Sequence, residues 1–413
     1  MMNELDKRLA ALSPEQRVLL EQRLKQKGIQ TPFPAGLSKQ EAKNRNGASS
    51  SFVPKRKRNM DKMEFSLFFF SGDGSTQDQN KYSLLLETTA FADQNGFAAV
   101  WTPERHFEDF GGLYPNPSVL SAALATITER IELRAGSVVL PLHHPIRFVE
   151  EWSVVDNLSK GRVSVAFATG WHPADFLIAP VQATDYYESR KDGMFNSIEL
   201  VKRLWAGEQI PFTDVNGIVH EIRTLPRPLQ NELDIWIATN GSPETYQRAA
   251  QIGANILTGI TGGDLADLEA KIDLYRKTLS QSGFLPESRK VAVMLHTCLG
   301  TSDEEVKVKV EKPMKEYLKT FMKQQKNILT DYSSMSASDF DVIVNHAFES
   351  YFQESALFGS HDKCKKLIET LIDIGVDEVA CLVDFGIDNE TIMNSIRMLT
   401  DLKKSFNQKE LSL

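Results

Sequence analysis

The sequence predicts a (β/α)₈ barrel, an α/β fold in which eight parallel strands close into a cylinder surrounded by helices. From Glu64 onward, short apolar runs alternate with amphipathic stretches, which is the pattern of a repeating strand and helix. The apolar runs are continuous and rich in β-branched residues, as is typical of strands covered on both faces. Because eight strand and helix pairs can be counted, a closed barrel is favoured over an open sheet.

The predicted strands are residues 65–70, 98–101, 131–140, 162–168, 235–239, 255–258, 291–299 and 378–383. The predicted helices are residues 82–95, 117–128, 145–159, 186–205, 243–252, 264–281, 303–321, 361–374 and 389–405. Glycines and prolines in residues 206–232 indicate an excursion or a hairpin. An aromatic-rich insertion at 322–358 precedes the eighth strand, and long insertions at a barrel rim are commonly lids or binding loops.

Four regions are predicted along the chain. Residues 1–27 carry leucines at helical spacing and are expected to form a helical docking or inter-domain element. Residues 28–62, rich in Gly, Pro, Ser and Lys/Arg, have the composition of a flexible linker. The basic run at 55–58 is better explained as part of a solvated linker than as a targeting signal or a phosphate-binding patch. The barrel is expected at 63–405, followed by a C-terminal tail at 406–413.

Composition and charge narrow the class of protein. The net charge of -8 argues against a general nucleic-acid binder, and no apolar run is long enough to predict a membrane span. The N-terminus lacks the apolar core of a secretory signal. Cys298, Cys364 and Cys381 are widely spaced, which predicts neither a disulfide framework nor a metal site. We therefore expect a cytoplasmic protein.

Candidate site residues follow the predicted strands, because active sites of such barrels lie at the carboxyl ends of the strands. Glu104-Arg105-His106 follows the second strand, and an imidazole there can exchange a proton near neutral pH. A rigid surface cluster of salt bridges explains the same residues equally well. After the third strand come His143 and His144, for which packing or helix capping is favoured over metal binding.

Two further segments suit a planar, phosphorylated ligand. After the fourth strand, Gly170 lets the backbone approach a ligand closely, and Trp171 can stack on it or fill the rim. After the fifth strand, Ser242 begins a helix whose free N–H groups suit a phosphate. Ordinary helix capping is the simpler explanation of Ser242, and Glu244 would repel a phosphate unless it points away.

Five motifs occur in a fixed order: TPERHF at 102–107, GGLYPNPS at 111–118, AGSVVLPLHHPIR at 135–147, WSVVDNLSKGR at 152–162 and ATGWHPADF at 168–176. Together they resemble the bacterial luciferase-like flavin monooxygenases, and the similarity extends more weakly over residues 63–405. The match is closest to the subgroup found within or beside nonribosomal peptide and polyketide assembly lines. The segment 1–27 resembles the short helical pieces that flank assembly-line domains.

The resemblance implies a cofactor and a chemistry. Family members bind FMN in its reduced form, FMNH₂, which a partner reductase usually supplies. Oxygen, O₂, adds at the flavin C4a carbon to give a hydroperoxide, and one oxygen atom passes to the substrate. The expected substrate is an acyl or aminoacyl group bound to a carrier protein, and a homodimer is possible. A deazaflavin-dependent oxidoreductase and a non-catalytic flavin-binding or docking module are the alternatives.

The resemblance also assigns roles to residues. It places His106 beside the flavin, where it manages a proton. It assigns flavin and phosphate contacts to Thr169, Gly170, Trp171, Ser242 and Thr245, and it places Ala135, Gly136 and Ser137 beneath the flavin ring. Bacterial luciferases have an arginine where this chain has Thr169. The phosphate charge must therefore be met by helix N–H groups or by another cation. No metal is implied.

Overall fold

A computed structural model describes residues 63–70, 80–181, 184–260, 264–326 and 337–406. The predicted N-terminal element at 1–27, the linker at 28–62 and residues 407–413 of the predicted tail lie outside the described residues. Within the described part, the predicted (β/α)₈ barrel is confirmed.

Eight parallel strands form the barrel, and each pairs with the next around the cylinder. In order they are β1 (Glu64–Phe68), β2 (Ala99–Thr102), β3 (Glu132–Val139), β4 (Val163–Ala168), β7 (Asp234–Thr239), β8 (Asn255–Gly259), β9 (Val291–Leu299) and β11 (Glu378–Leu382). The pairing of β11 with β1 closes the barrel, so that none of these eight strands is left as an open edge.

Helices surround the barrel between the strands. They are α1 (Ser83–Gln94), α2 (Pro117–Ala125), α3 (Pro145–Ser159), α4 (Thr184–Glu188), α5 (Arg190–Ala206), α6 (Pro243–Gln251), α7 (Leu265–Gln281), α8 (Asp303–Lys326), α9 (Ala337–Ser350), α10 (His361–Asp373) and α11 (Asn389–Lys404). Several begin with proline after a capping residue: at α2, the side chain of Asn116 accepts from the N–H groups of Ser118 and Val119. In the described residues no helix is both long and apolar enough to cross a membrane.

Among the described residues, three strands lie outside the barrel. The predicted excursion contains an antiparallel hairpin of β5 (Ile210–Thr213) and β6 (Val219–Ile222), which confirms that prediction. A short strand, β10 (Leu357–Gly359), pairs in parallel with the end of β9 and was not predicted. The insertion before the eighth barrel strand includes the end of α8, all of α9 and a π-helical turn at Tyr351–Ser355.

Side chains fill the lower part of the barrel. Arg134 on β3 pairs with Glu378 on β11, with both side chains almost fully buried. The guanidinium also contacts the rings of Trp101 and Trp236, 4.8 Å and 4.6 Å from their centroids. These side chains fill the end of the barrel at which the strands begin. A ligand can therefore reach the interior from the opposite end, where the carboxyl ends of the strands lie.

Candidate active site

A buried carboxylate organises the end of β2. Oε1 of Glu104 lies 3.0 Å from Nε2 of His106 and 2.8 Å from Nε2 of His143. Its other oxygen, Oε2, accepts the backbone N–H of Val139 at 2.7 Å. These residues come together because β2 and β3 are paired in parallel, so that their carboxyl ends are neighbours.

Charge and burial act against each other in this cluster. Burial alone would raise the pKa of Glu104, but hydrogen bonds from His106, His143 and the Val139 N–H lower it below its ordinary value. Burial alone would lower the pKa of His143, but the Glu104 carboxylate, helped by Glu151, raises it. Glu104 is therefore ionised at neutral pH, and His143 is more readily protonated than a free histidine.

A second buried pair adjoins the first. Nη1 of Arg105 lies 2.6 Å from Oδ2 of Asp175, and the guanidinium lies 5.2 Å from the ring centroid of Trp171. Nε and Nη2 of Arg105, Oδ1 of Asp175 and Nδ1 of His172 have no hydrogen-bond partner among the described residues. Burial raises the pKa of Asp175, although Arg105 and His172 oppose the effect. Buried polar atoms without partners are typical of a site that water or a ligand completes.

Cations gather where β4 and β7 end. Nε of Arg190, at the start of α5, donates to the carbonyl of Gly170 at 3.0 Å. The next residue, Lys191, binds Glu244 at 2.7 Å and so joins the start of α5 to the start of α6. Ser242 caps α6 by position, but its hydroxyl makes no capping hydrogen bond. The predicted conflict between Glu244 and a phosphate is reduced, because Lys191 neutralises that carboxylate.

Aromatic side chains of α8 cover this end of the barrel. The Tyr317 ring lies 4.8 Å from that of Phe110 and 4.5 Å from that of His296. One turn later, the ring of Phe321 lies 6.5 Å from that of Trp171. The helix therefore forms an apolar cover above the polar clusters, from residues that lie just before the predicted rim insertion at 322–358.

The structure separates the three β3 residues that were predicted to lie beneath a flavin ring. Gly136 faces the interior, where an added Cβ would lie 2.8 Å from Cε2 of Phe68. Ala135 pairs with Val165 and belongs to the outward row that packs against the helices. The peptide between Gly136 and Ser137 is cis, and the strand register shifts there. Gly136 therefore faces the barrel interior, whereas Ala135 does not.

The other predicted residues lie at the ends of three barrel strands, β2, β4 and β7. His106 belongs to the Glu104 cluster, and Thr169, Gly170 and Trp171 form the β4 loop. Ser242 and Thr245 lie in the first turn of α6. Their individual roles toward a cofactor remain predictions.

Sequence analysis placed Glu104 beside His106 after the second strand and favoured packing or helix capping for His143, but it did not predict that Glu104 and His143 meet. It did not identify Arg190 and Lys191. Glu104 and His143 each follow a predicted strand, and the two strands are consecutive. This was a signal that their side chains could meet. Arg190 and Lys191 carry no comparable local signal, because α5 approaches the β4 loop through tertiary packing.

Neither cysteine nor metal chemistry is indicated at this site. Cys298, Cys364 and Cys381 are free and buried, and burial raises the pKa of each thiol. In the part of the chain that the structure describes, no group of three or more His, Cys, Asp or Glu residues could hold a metal ion. The distances within the Glu104 cluster are those of hydrogen bonds.

Comparison with known proteins gives a consistent family. The model of the luciferase-like monooxygenase family matches residues 63–378. A similar curated protein is the oxygenase component of the flavin-dependent trigonelline monooxygenase of Acinetobacter baylyi. It is 25% identical over 361 residues, which cover 84% of this chain and 97% of the relative.

Solved structures of low sequence identity share the fold. The oxygenating constituent of 3,6-diketocamphane monooxygenase from Pseudomonas putida, in complex with FMN, is 18% identical with a TM-score of 0.67. That match covers 82% of this chain and 97% of the other. An F420-dependent secondary alcohol dehydrogenase is 13% identical with a TM-score of 0.61, covering 83% and 99%. The barrel is therefore shared by proteins with different flavin-type cofactors.

Proposed function

Because this chain belongs to the luciferase-like monooxygenase family and is a flavin-dependent monooxygenase, we propose that it uses FMNH₂ and O₂ to hydroxylate an intermediate of natural-product biosynthesis. The observation that chiefly supports reduced FMN is the convergence of two kinds of site at one barrel end. A histidine held by a buried carboxylate lies on the β2 side, and a cationic helix start lies on the β4 side.

The residues at the starts of α5 and α6 fit the phosphate of FMN. Ser242 has a hydroxyl that its own helix does not use, and the N-terminus of α6 offers N–H groups and a positive dipole end. Arg190 uses two nitrogens to hold the carbonyls of Gly170 and Tyr187. Since a guanidinium has five N–H donors, others remain for an anion. Arg190 is thus the cation expected to replace the arginine that luciferases carry at the position of Thr169.

Bound FMNH₂ would supply the electrons that activate O₂, and the protein would supply position, proton control and a dry pocket. His106 holds Nε2 against Glu104, so Nδ1 is the ring nitrogen left to exchange a proton with a ligand. The aromatic cover formed by Tyr317 and Phe321 excludes water from the barrel end, which protects reactive species from side reactions.

For the substrate, we propose an acyl or aminoacyl thioester on a carrier protein. This rests on the five motifs and on the segment 1–27, which resemble assembly-line proteins. The trigonelline relative is named as an oxygenase component, which supports a separate reductase as the source of FMNH₂. The three free cysteines fit a reducing cytoplasm. Following the family resemblance, a homodimer is part of the proposal.

A deazaflavin is the second candidate cofactor, because an F420-dependent dehydrogenase shares the fold. Anaerobic titration of the full chain with FMNH₂ and with reduced F420 separates the two candidates. We expect tight binding of FMNH₂ and weak binding of F420. The reverse order would replace a monooxygenase that uses FMN with a deazaflavin oxidoreductase.

A turnover assay tests whether the substrate is bound to a carrier protein. The full chain, a flavin reductase and NADH would be supplied with ¹⁸O₂ and an acyl group, either on a carrier protein or as the free acid. We expect one ¹⁸O atom in the carrier-bound product. Oxidation of the free acid alone would reject the carrier-bound substrate but leave the monooxygenase assignment intact.

The proposed phosphate contact predicts a selective loss. Arg190→Gln should weaken FMNH₂ binding about tenfold, since one charge-assisted hydrogen bond is removed. Reduced riboflavin, which lacks the phosphate, should bind the variant and the wild type equally, as fluorescence titration would measure.

The control is Arg203→Gln, in the last turn of the same helix and paired with Glu208 at the surface. It lies about 20 Å from Arg190 along the helix, so it should leave the binding of both flavins unchanged. If Arg190→Gln weakened riboflavin as much as FMNH₂, then Arg190 would act by supporting the Gly170 loop and not by binding phosphate.

A further inference from the structure

One carboxylate oxygen serves two imidazoles at the end of β2. Oε1 of Glu104 contacts Nε2 of His106 and Nε2 of His143, and the side chain of Glu104 is 1% exposed. His106 and His143 are 11% and 20% exposed, so both rings can reach mobile ligands or solvent while the acid between them cannot. The two histidines are therefore linked by a buried carboxylate whose electrostatic interactions water does not screen.

Hydrogen-bond rules fix how the rings are protonated. An ionised carboxylate only accepts, so both Nε2 atoms must carry hydrogen. Each ring then presents Nδ1 as the nitrogen that gains or loses a proton. The second oxygen, Oε2, accepts the N–H of Val139, so it does not replace Oε1 as the acceptor for either histidine. The two imidazoles therefore compete for the same negative charge.

Other charges surround the cluster unequally. Glu151 on α3 faces His143 and favours its protonated form. On the other side, Asp175 faces His106 and is itself paired with Arg105. The charge of Asp175 is thus mostly neutralised by Arg105. His143, in contrast, faces the carboxylates of Glu104 and Glu151, and both favour its protonated form.

We propose that Glu104 and His143 are positioning residues for His106, and that Glu104 couples the protonation of the two histidines. This rests on the proposed function in assigning His106 to the reaction, but the coupling itself does not require a bound flavin. When His143 is protonated it takes part of the Glu104 charge, which leaves less to hold a proton on His106. When His143 is neutral, Glu104 acts on His106 alone.

The test follows the titration of His143 by NMR in the flavin-free full chain labelled with ¹³C-histidine. The chain has eight histidines, few enough to assign by substitution. In wild-type protein the pKa of His143 should lie above 6.5. Glu104→Gln should lower this pKa, because the attracting carboxylate is removed. His106→Leu should raise it, because Oε1 then serves one imidazole.

The decisive measurement combines the two changes. In the Glu104→Gln background, His106→Leu should leave the pKa of His143 unmoved, because the coupling group is absent. His144→Asn is the matched control. His144 is the adjacent histidine and caps α3 through Nδ1, a role that asparagine can keep, so the variant should titrate at His143 like wild type.

Two results would overturn the coupling. One is a His143 pKa that His106→Leu does not change in the wild-type background. The other is an equal change with and without the Glu104 carboxylate, which would indicate a direct effect through space. Circular dichroism of each variant confirms that it is folded. Failure of FMNH₂ to bind would contradict the proposed function without affecting this titration.

Discussion

His143 and His144 are neighbours in the chain, yet their side chains meet different environments. His143 turns to the buried Glu104, whereas His144 remains exposed and accepts the N–H of Ile146 at the start of α3. The polar link to Glu104 is charge-assisted, and such hydrogen bonds contribute more to stability than neutral ones. The exposed cap at His144 contributes to one helix end alone.

This difference predicts a stability effect that depends on pH. His143 has a raised pKa in the folded state, so its contribution is complete below 6.5, the ordinary value, and is lost as pH rises through the folded-state pKa. His143→Asn should lower the free energy of unfolding by up to about 2 kcal/mol below pH 6.5, and by less at higher pH. Urea denaturation over a pH series measures this, and His144→Asn should show no such trend.

For a second histidine, His296, we expect the stability of the protein to depend on pH in the opposite direction. His296 is buried among aromatic rings, with Nδ1 2.6 Å from the Tyr351 hydroxyl, and burial lowers its pKa to about 3. The unfolded chain takes up a proton near pH 6.5 whereas the folded chain does not. The free energy of unfolding must therefore fall as pH drops from 6.5 toward 3.

At about 1.4 kcal/mol for each unit of pKa shift, His296 accounts for several kcal/mol of acid sensitivity. His296→Gln should make stability between pH 4 and 6.5 less dependent on pH, as urea denaturation would show. His220→Gln, on the exposed hairpin, is the matched control and should retain the wild-type slope. An unchanged slope in His296→Gln would mean that His296 is already protonated in the folded protein.

At the residue scale, the sequence predicted where the site residues lie along the chain better than it predicted which side chains contact one another. It located His106, Gly170 and Ser242 at strand ends, because the strand and helix alternation is local. It could not identify Glu104 as the carboxylate shared by two histidines, because His143 lies 39 positions from Glu104 and their contact exists through the pairing of β2 with β3. The role of Arg190 depends likewise on where α5 packs.

At the scale of elements, the insertion before β11 is the least regular part. The helix α9 was not predicted, although the buried residues Val344, Phe348 and Phe352 are spaced by four residues along α9 and the π-helical turn that follows it. The strand β10 was not predicted either, because three residues carry no usable periodicity. Its pairing with β9 depends on the length of β9, which continues past the barrel strands beside it.

The end of α8 acts as a cover through Tyr317, whose ring packs on Phe110 and His296. Tyr317→Ala should cost about 3 kcal/mol of stability, because a large aromatic group is removed from a packed site. In the enzyme loaded with flavin it should also increase the share of O₂ released as hydrogen peroxide, because water enters the barrel end.

Tyr317→Phe keeps the ring and should change neither quantity appreciably. Urea denaturation gives the stability, and the ratio of peroxide formed to O₂ consumed gives the leakage. Equal peroxide yields from wild type and Tyr317→Ala would show that the aromatic cover does not exclude water from the reaction.

At the scale of the molecule, the barrel is held closed across its interior as well as around its wall. Arg134 on β3 binds Glu378 on β11 through both carboxylate oxygens, at 3.0 Å and 2.8 Å. Ser66 on β1 and Trp101 on β2 donate to the same carboxylate at 2.5 Å and 3.3 Å. Four barrel strands therefore meet at one buried carboxylate, which links elements far apart in sequence.

Burial would raise the pKa of Glu378, but Arg134 and the hydrogen bond from Ser66 lower it below 4.5, the ordinary value. The stability it provides is therefore present above pH 4.5 and is lost as pH falls through the lower folded-state value. Glu378→Ala should destabilise the protein by about 3–5 kcal/mol, because the buried Arg134 loses its buried counter-charge and keeps the partly exposed Glu132 as its partner.

The double variant Arg134→Met, Glu378→Leu distinguishes pairing from simple loss of polarity. Replacing both charges with apolar groups of similar volume removes the buried Arg134 charge together with its buried partner, so much of the loss in Glu378→Ala should be recovered. Urea denaturation at neutral pH measures the recovery, and the double variant should also lose the acid dependence that Glu378 contributes. A double variant as unstable as Glu378→Ala would mean that the contacts to Ser66 and Trp101, and not the ion pair, hold the barrel closed.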